Sequence, residues 1–301
     1  MSDSEWSAWR PVEGAPRFSP VVLAEQLDGG QAFRWNRQAD QSWLGQWGRE
    51  VIALRLNSGG VLEWSGPASN ESSLAVRRYL ACDDLTHDEA CATLPTRSDA
   101  HLATCLAAYP GLRILRQPFA ETLLAFLCSA TKQIVQIKQM LALLAERFGT
   151  PLDCPICNHN GYKPEAALPT WEQLAEVSEA DLRGCLLGFR ARYIKGTAEF
   201  LSAHPGWLAE TEQRSYTEAK TRLLTLPGVG EKIADCVLLF GAGRLEAFPV
   251  DVWMIKVMAR RYELTDWKPA QVAHFGRVHY GPVAGLAQQY LFAWERAHGS
   301  R

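Results

Sequence analysis

The feature that most narrows the fold is a change of hydrophobic period near Ser72. Residues 18–66 alternate short apolar or aromatic runs (V-V-L, A-F-R-W, S-W-L-G-Q-W, V-I-A-L-R-L, V-L-E-W) with turn-forming N-R-Q-A-D-Q and N-S-G-G. That rhythm belongs to antiparallel strands joined by turns. Beyond it the spacing is helical, in S-S-L-A-V-R-R-Y-L, A-H-L-A-T-C-L-A-A-Y and A-E-T-L-L-A-F-L-C-S-A, and helical segments continue to the C-terminus. An α+β fold is expected: an N-terminal antiparallel β-sheet domain with flanking helices over residues 1–116, then an all-α domain over residues 117–301. Leu112–Gln117 is the junction, because Pro118 precedes a new amphipathic helix.

With 301 residues, 47% of them hydrophobic, the chain can build two modest domains or one large one. No uninterrupted apolar run approaches the roughly 18 residues that cross a bilayer, so no membrane association is expected. Eight cysteines are scattered through expected helices and loops, and M-S-D-S-E-W-S-A-W-R lacks the basic and apolar run of a secretory leader. The thiols are therefore expected to be reduced and the protein intracellular. A net charge of −2 argues mildly against a nucleic-acid partner. The distribution argues the other way: Arg183 to Arg301 holds 16 Lys+Arg against 11 Asp+Glu.

That basic part carries the most informative run, L-P-G-V-G-E-K-I-A-D-C from Leu226 to Cys236, after the helical S-Y-T-E-A-K-T-R-L-L-T. Gly228 and Gly230 permit a tight turn opening into a helix whose free N–H groups can hold a phosphate, a sequence-neutral grip on a DNA backbone. Lys232 falls in the first helical turn, where the helix dipole and partial burial both disfavour an ammonium ion. A neutral amine there can attack a sugar C1′ and form a Schiff base. Read alone, the same lysine is a solvated surface charge. Asp251, nineteen residues further on in A-F-P-V-D-V, sits where a helix starts. It is an N-cap, a carboxylate stabilising positive charge on a sugar, or both.

The hairpin, Lys232 and P-V-D resemble the helix-hairpin-helix glycosylase superfamily. With G-F-R-A-R-Y (188–193), Y-G-P-V-A-G-L-A-Q-Q-Y-L-F (280–292) and G-G-Q-A-F-R-W (29–35), the five motifs look like the 8-oxoguanine DNA glycosylase family, in the family's order from about residue 18 to 295. The resemblance implies that residues 117–301 form an all-α helix-hairpin-helix glycosylase domain. It also implies a bifunctional base-excision-repair enzyme, monomeric and DNA-associated, that flips 8-oxoguanine from double-stranded DNA, excises it through Lys232 and Asp251, and cleaves the strand without a cofactor.

By the same resemblance the Gly30 carbonyl accepts the lesion's N7–H, Gln288 reads the Watson–Crick edge, Phe292 stacks on one face of the base and Cys236 lies against the other. Gln288 and Phe292, four apart, share a helix face. By sequence alone Gly30 is a turn glycine, and Phe292 and Cys236 are core residues. Phe189 matches the aromatic wedge and Arg190 the arginine that contacts the orphaned base. Where the family has asparagines after C-S-x and then an arginine, C-S-A-T-K-Q-I-V-Q has Thr131, Lys132 and Gln136. Relaxed preference for the opposite base is the expectation. Trp253 replaces a histidine near a phosphate, which puts one backbone contact in question.

Three other readings compete. C-P-I-C-N-H (Cys154, Cys157, His159) is half a zinc site or a redox pair on paper, but no second paired motif accompanies it and it is read as a loop, with no metal expected. A monofunctional glycosylase for alkylated bases would have no need of the Lys232 amine. A hairpin module that only binds DNA would need neither nucleophile nor pocket.

Overall fold

The computed structural model describes residues 7–67, 69–82, 87–152 and 166–299. Five strands, β1 (Arg10–Pro11), β2 (Trp35–Arg37), β3 (Trp43–Trp47), β4 (Glu50–Leu56) and β5 (Leu62–Ser65), make one antiparallel sheet in the order β1-β5-β4-β3-β2. Its register sets Trp35 opposite Gly45, and Leu54 opposite both Trp43 and Trp64. One face is therefore lined with buried tryptophans and aliphatics. Gly45 is required there, because a Cβ would stand 2.2 Å from the Trp35 ring. Trp35 Nε1 donates to the Tyr79 hydroxyl at 3.1 Å, and the Trp47 ring stacks on Tyr79 with centroids 4.1 Å apart. Tyr79 ends α2 (Asn70–Tyr79), so these contacts seat that helix on the sheet.

The V-V-L run at 21–23, read above as a strand, lies inside the helix α1 (Pro20–Asp28). The start signal outweighs the short apolar run: Ser19 caps the helix by accepting from Val22 N at 3.2 Å, and Pro20 occupies the first turn. α3 (His87–Thr93) and α4 (Ala100–Ala108) complete the first part.

The helical part comprises α5 (Phe119–Cys128), α6 (Ile134–Phe148), α7 (Trp171–Glu176), α8 (Glu179–Leu182), α9 (Arg190–Ala203), α10 (Trp207–Gln213), α11 (Tyr216–Leu223), α12 (Glu231–Phe240), α13 (Val252–Tyr262), α14 (Pro269–Tyr280) and α15 (Ala284–His298). The apolar core runs from sheet to helices as one cluster. Buried polar groups reinforce the join. Gln31 donates to the Arg113 carbonyl at 2.9 Å and accepts from Leu115 N at 3.0 Å. The Tyr109 hydroxyl donates to the Ala293 carbonyl at 3.1 Å, and that of Tyr290 to the Leu112 carbonyl at 3.0 Å. An N-terminal antiparallel sheet followed by a helical array is the α+β arrangement that the change of period predicts. Among the described residues no helix is long and apolar enough to cross a membrane.

Candidate active site

The hairpin joins α11 to α12. Ser215 and Glu218 start α11 with a reciprocal capping box. Gly228 adopts φ +77°, and a Cβ on it would meet Tyr193 at 2.6 Å, so backbone and packing both demand glycine. α9 supports the turn from below, through the Thr197 hydroxyl donating to the Pro227 carbonyl at 3.2 Å. Gly230 differs. It caps α12 with ordinary extended torsions, and a Cβ on it would meet nothing within 4 Å. The protein's own packing does not require that bareness; it leaves the first amides of α12 open to an approaching anion.

Lys220 braces the two helices, bonding Asp235 at 2.9 Å and Glu231 at 2.7 Å. The Tyr216 hydroxyl also donates to Asp235, at 2.8 Å. Asp235 of the A-D-C motif is thus a buried structural anchor.

Lys232 lies in the first turn of α12, half-buried. Its Nζ donates to Ser129 Oγ at 3.1 Å and stands 5.2 Å from the centre of the Phe126 ring. Asp251 caps α13, its Oδ1 accepting from Met254 N at 2.7 Å. Among the described residues no ion pair joins the two; they line one recess together with Gly30, Cys236, Gln288 and Phe292. Six side chains and backbone positions singled out from separate motifs therefore converge.

The recess holds about 60 Å³. That is small beside the roughly 300–1,000 Å³ of ligand pockets. It adjoins a groove of about 1000 Å³ that passes Thr131, Lys132, Ile134 and Arg296.

Burial pushes the Cys236 thiol up to about 12, against the opposing influence of Lys232, so it presents a protonated, apolar surface. Gln288 is buried, with its Oε1 accepting from Gln289 Nε2 at 3.0 Å. Gly30 follows α1 with φ +106°, a conformation that favours glycine. Ile134 and Phe292 lie at 3.5 and 3.9 Å from a Cβ placed on it.

The remaining predicted residues ring the groove or lie near it. Phe189 is 47% exposed at the start of α9. Arg190 beside it is buried, its guanidinium donating to the Leu187 carbonyl at 3.2 Å, to Thr131 Oγ1 at 2.9 Å and to the Ala130 carbonyl. Those three bonds use two of its nitrogens, and its Nε has no partner among the described residues. Thr131 is exposed with φ +55°, a strained conformation for a β-branched residue. Lys132 lines the groove. Gln136 is exposed and closes a capping box at the start of α6, its Oε1 accepting from Gln133 N at 3.2 Å.

Trp253 is partly buried near the start of α13, and its indole N–H has no partner among the described residues. Cys154, Cys157 and His159 lie outside the described residues. Among those described, no group of three or more His, Cys, Asp or Glu is placed to hold a metal. Sequence reasoning passed over Ser129 and Phe126, which flank the amine, and Gln289. The C-S-A segment and the second glutamine of A-Q-Q were the available signals.

Two helices joined by a glycine hairpin, with an amine just past the turn and a capping carboxylate across a recess, are the frame of a helix-hairpin-helix DNA-repair glycosylase. Residues 124–277 match the HhH-GPD superfamily base excision DNA repair protein family, and residues 17–123 match the 8-oxoguanine DNA glycosylase N-terminal domain. The N-glycosylase/DNA lyase of Arabidopsis thaliana is 31% identical over 94% of this chain and 81% of that protein. The N-glycosylase/DNA lyase of Saccharomyces cerevisiae is 31% identical over 82% of this chain and 70% of its own length. The crystal structure of Clostridium acetobutylicum 8-oxoguanine glycosylase/lyase, in complex with double-stranded DNA containing cytosine opposite 8-oxoguanine, superposes with a TM-score of 0.85 at 29% identity, covering 96% of this chain and 94% of that one. The chain belongs to the 8-oxoguanine DNA glycosylase family.

Proposed function

We propose that this bifunctional DNA glycosylase with AP lyase activity binds duplex DNA as a monomer, extrudes 8-oxoguanine into the recess and releases the base by attack of Lys232 Nζ on C1′. The convergence of Lys232, Asp251, Gly30, Cys236, Gln288 and Phe292 on one recess is the observation that carries the reading. The bond from C1′ to the base breaks as the N–C1′ bond forms. Opening of the sugar then leaves an imine, and loss of a C2′ proton expels the 3′ phosphate by β-elimination. The Asp251 carboxylate, held by its bond to Met254 N, stabilises the positive charge that develops on the sugar.

Within the recess the Gly30 carbonyl accepts the N7–H that distinguishes the lesion from guanine. Guanine would set a lone pair against it, a mismatched buried contact costly enough for rejection. Gln288 exchanges its bond to Gln289 for one to the Watson–Crick edge, with Phe292 and Cys236 against the two faces of the base. Gly228 and Gly230 shape the backbone grip, and Phe189 fills the gap in the stack. The test is borohydride trapping on a panel of lesion duplexes. Wild type should give a covalent adduct with 8-oxoguanine DNA. Lys232→Gln should bind that DNA and give none; an adduct of undiminished yield would remove Lys232 from the chemistry.

We further propose that the opposite base is read loosely. Thr131 lacks an amide's paired donor and acceptor, Lys132 is a flexible point charge, and Gln136 is engaged in capping α6. Losing one direct base contact costs about 1–3 kcal/mol of discrimination. Single-turnover rates on the four pairings of the lesion should therefore lie within roughly a hundredfold of one another; a larger preference for cytosine refutes the idea.

A further inference from the structure

The loop that presents Phe189 contains a second exposed apolar residue that the fold does not explain. After α8 the chain forms one wide turn, Arg183–Leu187, and leaves helical geometry at Cys185 and Leu186. Cys185 and Leu187 are fully buried, whereas Leu186 between them is turned out, 52% exposed, with φ +62° and ψ 15°. Left-handed torsions are disfavoured for any residue with a Cβ, and a leucine left half exposed forgoes much of what burial would give it. Glycine would remove both costs, and it already serves two residues on at Gly188, where φ is +57° and a Cβ would meet nothing within 4 Å. Strained, bulky exposed residues persist where the surroundings or a partner make use of them.

The partner is set by location. Arg190 ties this loop to the groove rim, bonding the Leu187 carbonyl, the Ala130 carbonyl and Thr131 Oγ1. Leu186 and the 47%-exposed Phe189 thus protrude from one short loop, on either side of Gly188, and Arg190 ties that loop to Ala130 and Thr131 of the groove's lining. We propose that Leu186 is a second apolar prong, which packs against the sugars and base edges laid open when the lesion leaves the stack. The proposal rests on the reading of Phe189 as a wedge. Two prongs separated by a glycine can hold a kinked duplex from two points, and apolar side chains at an opened base step are a recurrent way to stabilise a bend.

The experiment compares Leu186→Gly, Leu186→Met and Phe189→Ala with wild type. Leu74→Ala serves as the control for loss of an exposed leucine on α2, a helix that lines neither recess nor groove. Melting temperature, affinity for a duplex with an uncleavable abasic analogue and single-turnover excision are measured for each. Leu186→Gly should melt higher than wild type while binding and excising about tenfold less well. Leu186→Met, which keeps the apolar reach, should stay within a fewfold of wild type, and Leu74→Ala should not change. Leu186→Gly that binds and excises like wild type overturns the proposal, as does one that melts lower, since leucine would then serve the fold. If Phe189→Ala is also without effect, the wedge reading fails with it. If only Phe189→Ala is impaired, the wedge stands and the second prong falls.

Discussion

At the scale of single residues, substitution can separate the cap that Asp251 makes from the catalytic role proposed for its carboxylate. Its Oδ1 holds the Met254 amide at the start of α13, and its carboxylate borders the recess. Asparagine caps a helix about as well as aspartate, whereas alanine forfeits about 1 kcal/mol of capping. Asp251→Asn should therefore melt near wild type yet excise about a hundredfold more slowly; Asp251→Ala should lose both stability and rate. Calorimetry beside single-turnover kinetics separates the two effects, and an Asn variant of normal rate would leave Asp251 as a cap alone. The residues legible from sequence were those whose signal is local. Lys232 is placed by the glycines just before it, Asp251 by the proline and the helix after it. Arg190 was legible as a motif position but not as a buried one, because its partners at Ala130 and Thr131 lie some sixty positions away in the chain. Gln136 hid a cap because Q-x-x-Q is an unusual form of the helix-start box.

Among the elements, α11 and α12 are linked by Lys220 and by the Tyr216 hydroxyl, both bonded to Asp235. Burial works against the lysine's charge, but Asp235 and Glu231 outweigh that effect and hold the ammonium above its ordinary range. A raised lysine pKa contributes stability that is complete below the unfolded value, near 10.4, and is lost only as pH rises through the folded one. On the lysine side the brace is therefore intact at neutral pH, while burial raises the Asp235 carboxyl against the lowering pull of Lys220. Lys220→Met leaves Asp235 buried without its cation, and chemical denaturation at pH 7 should show a loss of about 3–5 kcal/mol; a loss below about 1 kcal/mol would mean that the Tyr216 hydroxyl suffices to hold Asp235. Element type was readable wherever period and start signal agreed, as in α2, α4 and α5. It failed at V-V-L, where a three-residue run is too short to set a period and the Ser19-Pro20 start decides. β1, two residues long, left no pattern to read.

For the whole molecule, a chain boundary at 116/117 is not a boundary in the core. α4 packs on α15, the Tyr109 and Tyr290 hydroxyls bond across, and Tyr262 on α13 donates to Asp99 at 2.8 Å. We expect the intact chain to unfold in a single calorimetric transition, with residues 117–301 expressed alone failing to melt cooperatively; a cooperative transition in that fragment would show two independent domains. The fold class was visible in the order of the two periods, but this interlocking was not, because it depends on which helix faces meet. The narrow recess between α12 and α15 bears on a different matter, the company an enzyme keeps in solution. At about 60 Å³ it is smaller than the pockets that hold free ligands, and on the proposed function free nucleobases and nucleotides are expected to bind it poorly. On that reading a base tethered to a bound strand brings the binding energy that opens the recess, and free nucleosides added in excess should leave excision from DNA unslowed.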